Sequence, residues 1–279
     1  MLLRSIHPCR ERARPSSNKT QNVDYFVIST VALCVSALTF FSGFGLGTLL
    51  MPAFALFFPL PVAIAATAVV HLANNLFKLA LVGRHAHLGV VFRFGLPALI
   101  TAVAGASALV GISRLDTPVT IGALTVTPLK LAIGCLIVAF ALLELTPKFS
   151  RWSLPLEYLP VGGVVSGFFG GLSGNQGAFR AAFLIKAGLT KTAFVATGVV
   201  CSVLVDTARI AIYGAAFFGA FISNTSDQLS GLVAVATISA FAGAIIGRRL
   251  LEKVTLRGVQ LIVAAAMIGI GVAMILGLV

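Results

Sequence analysis

Two glycine clusters carry the first chemical signal in this chain: Ser42-Gly43-Phe44-Gly45-Leu46-Gly47 and Gly170-Gly171-Leu172-Ser173-Gly174-Asn175-Gln176-Gly177. A glycine within a helix costs about 1 kcal/mol relative to alanine, so this density predicts a helix that stops and restarts. The restarted half-helix directs its unpaired N–H groups and positive dipole end toward whatever lies before it, which suits an anion. One cluster alone reads equally well as close helix packing through small residues; two at related positions favour a site. Arg180 sharpens the reading, because a cation in the first turn opposes the dipole by roughly 0.3–1 kcal/mol and a bound anion reverses that sign. Its bland alternative is a side chain that snorkels to lipid phosphate.

A second set is Thr67, His71, Asn74, Asn75 and Lys78, whose spacing places them on one stripe of an otherwise Ala, Val, Leu and Phe helix. Lipid does not solvate such a stripe, so it faces the bundle interior or water, either as a site lining or as inter-helix hydrogen bonds. Lys78 could attract anions at one mouth. The comparable helix further along carries Thr197, Ser202, Asp206 and Arg209. Asp206 and Arg209 can pair at i, i+3 and neutralise each other, as readily for structure as for function.

Other chemistries find less support. Gly171-Leu172-Ser173-Gly174 matches the G-x-S-G of rhomboid intramembrane proteases, the competing functional class, but no histidine follows His87 to act as base for Ser173. His85-Ala86-His87, with Arg84 and Arg93, lacks further metal ligands and reads as an exposed cytoplasmic loop. Cys9, Cys34, Cys135 and Cys201 show neither a disulfide framework nor a zinc spacing. No H-E-x-x-H, phosphate loop or paired-carboxylate motif is present. No catalytic residue, metal or cofactor is expected.

The elements that must position these residues follow from composition. Of 279 residues, 58% are hydrophobic and 10% charged, with a mean hydropathy of +1.05; soluble domains carry about 25% charge, so this is an integral membrane protein. At about 20 residues per helix, roughly eight spans fit and no separate soluble domain does. The formal charge of +12 fits cationic loops facing anionic lipid better than a nucleic-acid surface. The expected organisation is a basic cytoplasmic tail over 1–23, a first transmembrane repeat over 24–145, a linker over 146–158 and a second repeat over 159–279. Apolar segments at 46–59 and 178–189 fall below the roughly 17 residues a span requires and read as half-helices. The positive-inside rule places the basic loops at 83–93, 146–157 and 248–257 inside and uncharged 214–220 outside, which two equivalent halves with an even number of crossings cannot all satisfy.

Laying Ala66-Thr67-Ala68-Val69-Val70 over Ala196-Thr197-Gly198-Val199-Val200 also lays Gly47 over Gly177. Each half then reads in one order: long apolar segment, glycine cluster, short segment, charged or prolyl break, and a helix bearing A-T-x-V-V. Two such halves around a midplane site are a recurrent transporter plan.

With these residues assembled, the chain resembles the TauE/SafE family of sulfite exporters and uptake permeases over residues 24–279. The resemblance rests on Gly43-Phe44-Gly45-Leu46-Gly47 with Met51-Pro52, on the helix Ala63 to Lys78, and on a degenerate second copy in Gly167 to Gly177 and Ala193 to Val200. Phe44, Leu46 and Gln176 depart from a denser glycine run. The resemblance implies transport of small anions, notably sulfite and organosulfonates, through a duplicated bundle of about eight spans. The expectation is an all-α polytopic transmembrane helix bundle in the plasma (inner) membrane, with alternating access between its repeats. Its partners are a small-molecule anion and the lipid bilayer, and a homo-oligomer is left open. The expected substrate-binding residues are Gly45, Gly47, Thr67, His71, Asn74, Asn75, Asn175, Gln176, Gly177, Arg180 and Thr197.

Overall fold

The computed structural model describes residues 18–42, 46–115, 117–121, 124–146, 155–224, 227–250 and 256–278. The basic tail before Asn18, most of the linker, and Gly45 lie outside them. Ten principal helices follow: α1 Asn18–Ser42, α2 Leu46–Ala55, α3 Leu60–Val82, α4 Leu88–Ser113 with a π-helical stretch over Val91–Gly95, and α5 Pro128–Leu145. Then come α6 Leu159–Ser173, α7 Gly177–Leu184, α8 Lys191–Asn224, α9 Asp227–Leu250 and α10 Leu256–Ile275. The segments Leu60–His85, Leu88–Ser113, Lys191–Ala216 and Gln228–Arg249 are long and apolar enough to cross a membrane. Phe26, Phe92, Ile100, Ile238 and Ile262 are between 65% and 71% exposed, an arrangement that lipid accommodates and water does not.

Two sequence expectations change. The continuous apolar segment at about 121–145, which by its sequence reads as one spanning helix, starts instead as a hairpin, β1 Val119–Ile121 against β2 Leu124–Val126, with Val119 opposite Val126 and Thr120 opposite Thr125. Its β-branched residues suit an extended ladder, and the helix begins only at Pro128, where the Thr127 side chain accepts the Lys130 N–H. Residues 214–220, expected as an external loop, lie within α8, a run without proline to stop it.

The helices pack along two long parallel seams. On the first, α1 runs beside α9: Asp24 accepts from Gln228 at 2.8 Å, Ser36 Oγ donates to the Ala240 carbonyl at 2.7 Å, and Gly243 lies against Leu33. On the second, α6 runs beside α4, with Gly163, Gly167 and Gly171 against the backbones of Phe94, Ala98 and Ala102. A Cβ at any of these three glycines would collide with an α4 carbonyl, so the spacing of four is what lets the two backbones touch. The crossing of α5 and α10 is reciprocal: Gly134 faces the Gly271 carbonyl and Gly271 faces that of Gly134, with Cβ positions 2.8 and 2.9 Å from those oxygens.

The second glycine cluster folds its helix back on itself. The Phe183 ring of α7 packs on Gly162 of α6, Gln176 packs on Gly170, and Ser166 Oγ donates to the Gln176 carbonyl at 2.8 Å. A helix continuing straight through would hold residues 162 and 183 about 30 Å apart, so α6 and α7 form a hairpin. Its turn requires Gly174 at φ +81°, a left-handed conformation in which most side chains are strained. The Tyr213 hydroxyl of α8 donates to the Gly171 carbonyl, occupying an acceptor that the end of α6 leaves open. In the first cluster α1 is described to Ser42 and α2 from Leu46, and the expected break at 43–45 lies outside the described residues.

Candidate functional site

The helices α3 and α8 cross antiparallel at the centre of the bundle. His71 of α3 meets Asp206 of α8, whereas His87, beyond the other end of α3, donates its backbone N–H to Thr197 Oγ1 nearer the start of α8 at 2.9 Å. The crossing is where the polar stripe of α3 becomes buried, and α8 supplies its partner.

Asp206 is the hub. Fully buried, it takes His71 Nδ1 at 2.6 Å and Asn75 Nδ2 at 2.7 Å on Oδ2, with Arg209 Nε at 3.1 Å and Gln176 Nε2 at 3.5 Å on Oδ1. A carboxylate has no hydrogen of its own, so His71, Asn75 and Gln176 act as donors and His71 holds its hydrogen on Nδ1, while Arg209 Nε stands beside it as an ion-pair partner without a hydrogen bond. These partners come from α3, from α8 and from the turn between α6 and α7. Removing a carboxylate from water is expensive without such partners, and three donors and one ion pair make this one tenable.

The start of α2 and the turn between α6 and α7 meet at the same place. Gly47, in the first turn of α2, lies beside the His71 ring and the Gly174 carbonyl; a Cβ there would stand 3.5 Å from His71 Cδ2 and 3.7 Å from that oxygen. Gly174 in turn lies under the Arg209 guanidinium. Arg180, in the first turn of α7, donates to Ser202 Oγ and lies across Gly198 of α8, with Nε 3.1 Å from where a Cβ would sit. Lys78 donates to the Asn74 amide oxygen at 3.2 Å and is close enough to Arg180 for the two cations to repel. Among the described residues, Arg209 Nη2 has no hydrogen-bond partner although Arg209 is 2% exposed.

Of the residues singled out in sequence, Gly47, His71, Asn75, Asn175, Gln176 and Gly177 gather at or beside this junction, and Arg180 lies one to two turns away along α8. Asn74 turns elsewhere: its amide nitrogen donates to the Ala240 carbonyl at 3.2 Å, tying α3 to the α1–α9 seam. Thr197 is engaged by the backbone of His87. Thr67 is buried with no partner for its hydroxyl among the described residues. Gly45 lies outside the described residues.

Sequence reasoning understated Asp206, Arg209 and Ser202, treating the first two as a pair that neutralises itself. They do pair, but Asp206 also accepts from α3. The available signal was the expense of an aspartate at membrane depth, which implies more than one partner.

A family model described as sulfite exporter TauE/SafE matches residues 28–274. The chain belongs to this family. TauE/SafE proteins are membrane transporters, so this member is a membrane transport protein and not an enzyme. No curated protein and no solved structure matches the chain. The protease alternative gains nothing from the TauE/SafE fold described above: Ser173 Oγ donates to the Phe169 carbonyl of its own helix at 3.1 Å, and no histidine is hydrogen-bonded to it among the described residues. Nor do the described residues hold a cluster of three or more His, Cys, Asp or Glu able to bind a metal.

Proposed function

We propose that this TauE/SafE protein is a multi-pass permease of the plasma membrane for small sulfur-containing anions, of the sulfite or organosulfonate type. The observation that carries the reading is charge. Among the described residues, the buried guanidinium groups of Arg180 and Arg209, with the Lys78 amine beside them, gather around one buried carboxylate, Asp206, so the described cluster carries more positive than negative charge when His71 is neutral. Buried charge of one sign is costly, and an anion at the tip of the re-entrant turn would balance it. Arg209 Nη2 and the first N–H groups of α7 offer donors for it. The binding residues proposed are Gly47, Thr67, Asn75, Asn175, Gln176, Gly177, Arg180 and Arg209, with His71 beside Gly47 holding Asp206 rather than the anion and with Asn74 and Thr197 as surrounding support; Gly45 keeps its place in the proposal from sequence alone.

The helices support a duplicated plan of two sets of five, α1–α5 and α6–α10. Exchanging the sets turns the α1–α9 seam into the α6–α4 seam and maps the α3–α8 and α5–α10 crossings onto themselves. Because α3 and α8 run antiparallel, the repeats are of inverted topology. This plan has six crossing helices rather than the roughly eight spans anticipated from sequence, with α6–α7 folded back and α1–α2 assigned the same path by the repeat. Three crossings in each half form an odd number, which places the loops between α3 and α4, between α5 and α6, and between α9 and α10 on one side of the membrane and the start of α1 on the other, so the basic tail and the basic loops, expected to share the inside, lie on opposite sides in this plan. Alternating access follows as movement of one set against the other about the Asp206 junction.

The test is flux into proteoliposomes. The purified protein is expected to move sulfite and methanesulfonate across the bilayer, and Arg180→Gln to reduce that flux at least tenfold while eluting as a folded protein in detergent. Undiminished flux in Arg180→Gln, or no anion movement by the wild type, would remove the reading.

A further inference from the structure

We propose that the His71–Asp206 pair is a proton site whose occupancy is linked to the anion, so that one proton crosses the membrane with each anion. The proposal rests on the permease reading and adds the coupling ion to it.

The geometry gives the imidazole two unlike faces. Nδ1 is engaged by Asp206 Oδ2 at 2.6 Å, which leaves the Nε2 lone pair as the acceptor. That edge faces Gly47, whose Cβ position is 3.9 Å from Nε2, at the meeting point of α2 with the turn between α6 and α7. The His71 side chain keeps 11% of its surface accessible, whereas Asp206 keeps none. The carboxylate therefore orients the ring and the ring meets the proton. With a protonated ring both nitrogens donate, Nδ1 to Asp206 and Nε2 toward the junction.

The charges around the ring set the linkage. On its own helix His71 faces Lys78; from α8 come Asp206 and Arg209; Arg180 of α7 acts on Asp206 and Lys78. The turn between α6 and α7 contributes neutral Gln176, and α2 contributes Gly47. In the empty site, a proton on Nε2 adds a further positive charge beside the Arg209 and Arg180 guanidinium groups, with Asp206 the one carboxylate among the described residues of the cluster. With an anion at the junction the same proton finds a counter-charge. Anion binding thus favours protonation, and by reciprocity protonation tightens anion binding to the same degree. Two species that bind only together cross together when the site changes sides. The chemistry is limited to one N–H bond: water on the entry side gives up a proton to Nε2, and water on the exit side takes it back.

Methanesulfonate, which has no titratable group near neutral pH, isolates the effect. In voltage-clamped proteoliposomes holding a pH dye, an inward methanesulfonate gradient is expected to acidify the lumen by about one proton per anion counted. Calorimetric titration of detergent-purified protein in buffers of different ionisation enthalpy is expected to show net proton uptake on binding, and affinity that rises at least tenfold from pH 8 to pH 6. His71→Gln keeps an amide donor for Asp206 and is expected to bind methanesulfonate without proton uptake and with an affinity flat in pH. Anion movement by the wild type with no proton would overturn this inference alone; absence of anion movement would overturn the permease reading. Proton uptake retained by His71→Gln, or loss of all anion binding by it, would also overturn the inference, the latter because the ring would then be an anion ligand.

Discussion

The first five helices bring His71, Asn75 and Lys78 to the central crossing, and the last five bring Asp206, Arg209, Ser202 and Arg180, with Gln176 from the turn between α6 and α7. The same crossing geometry therefore holds unlike chemistry on its two sides: hydrogen-bond donors and an imidazole from α3, a carboxylate and guanidinium groups from α8 and α7. The packing seams differ in a comparable way. Three glycines of α6 spaced four apart face α4 backbone, whereas α9 meets α1 through the Ala240 carbonyl and, among the described residues, through Gly243 against the Leu33 carbonyl. The difference teaches that equivalent helices need to share only a path, not side chains. Neither set of helices contains its own partner for every buried polar group, so the two sets are held together by charge that each lacks.

The largest effect is expected from breaking that dependence at its hub. Asp206→Ala would leave His71 and Asn75 without their common acceptor and Arg209 without its ion-pair partner. Removing one partner from a buried ionic group costs about 3–5 kcal/mol. Thermal unfolding in detergent is expected to show a marked loss of stability, larger than that of His71→Gln or Asn75→Ala, each of which removes one donor and leaves the carboxylate its others. A loss no greater than that of Asn75→Ala would show that Asp206 is not the hub.

How much of this was legible in sequence divides along the same line. The break near Gly174 could be read because glycine density and segment length are local properties; the one expected before Gly47 falls on residues outside those described. That α7 turns back along α6 could not, since the contact of Phe183 with Gly162 depends on the direction taken after Gly174. The stripe from Thr67 to Lys78 was visible by periodicity, but periodicity does not say which neighbour each member meets. Asn74 and Asn75 are adjacent, and the helix turns one toward Ala240 and the other toward Asp206. Asp206 and Arg209 were seen as a pair because i, i+3 spacing is local, while the donors from α3 lie more than a hundred residues away. The hairpin before Pro128 was missed because a run of Val, Thr, Ile and Leu suits a strand and a buried helix alike.

A middle-sized effect is expected at the seams. Gly167→Ala would press a methyl group into the Ala98 backbone, where no flexible side chain can give way; overpacking of this kind costs about 1–3 kcal/mol. Gly269→Ala, where a Cβ would meet nothing within 4 Å, serves as the control and is expected to change little. Equal melting temperatures for the two variants would show that the α4–α6 seam does not depend on backbone contact.

The smallest effect separates the two seams by their hydrogen bonds. Ser36→Ala removes the bond to the Ala240 carbonyl, an acceptor already used within its own helix and also reached by Asn74. Tyr213→Phe removes the donor to the Gly171 carbonyl, which lies in the last turn of α6 and lacks a helical successor. Hydrogen bonds between membrane helices average about 0.6 kcal/mol, and that figure is expected for Ser36→Ala. Leaving an end-of-helix acceptor buried and unmet is worse than removing a shared one, at about 1–3 kcal/mol, so Tyr213→Phe is expected to lower the melting temperature more. It is also expected to raise hydrogen exchange at the amides of 174–177, because the turn loses the contact that holds its first strand of backbone. Equal shifts and unchanged exchange would mean that the turn is held by Gly174 and the glycine seam alone.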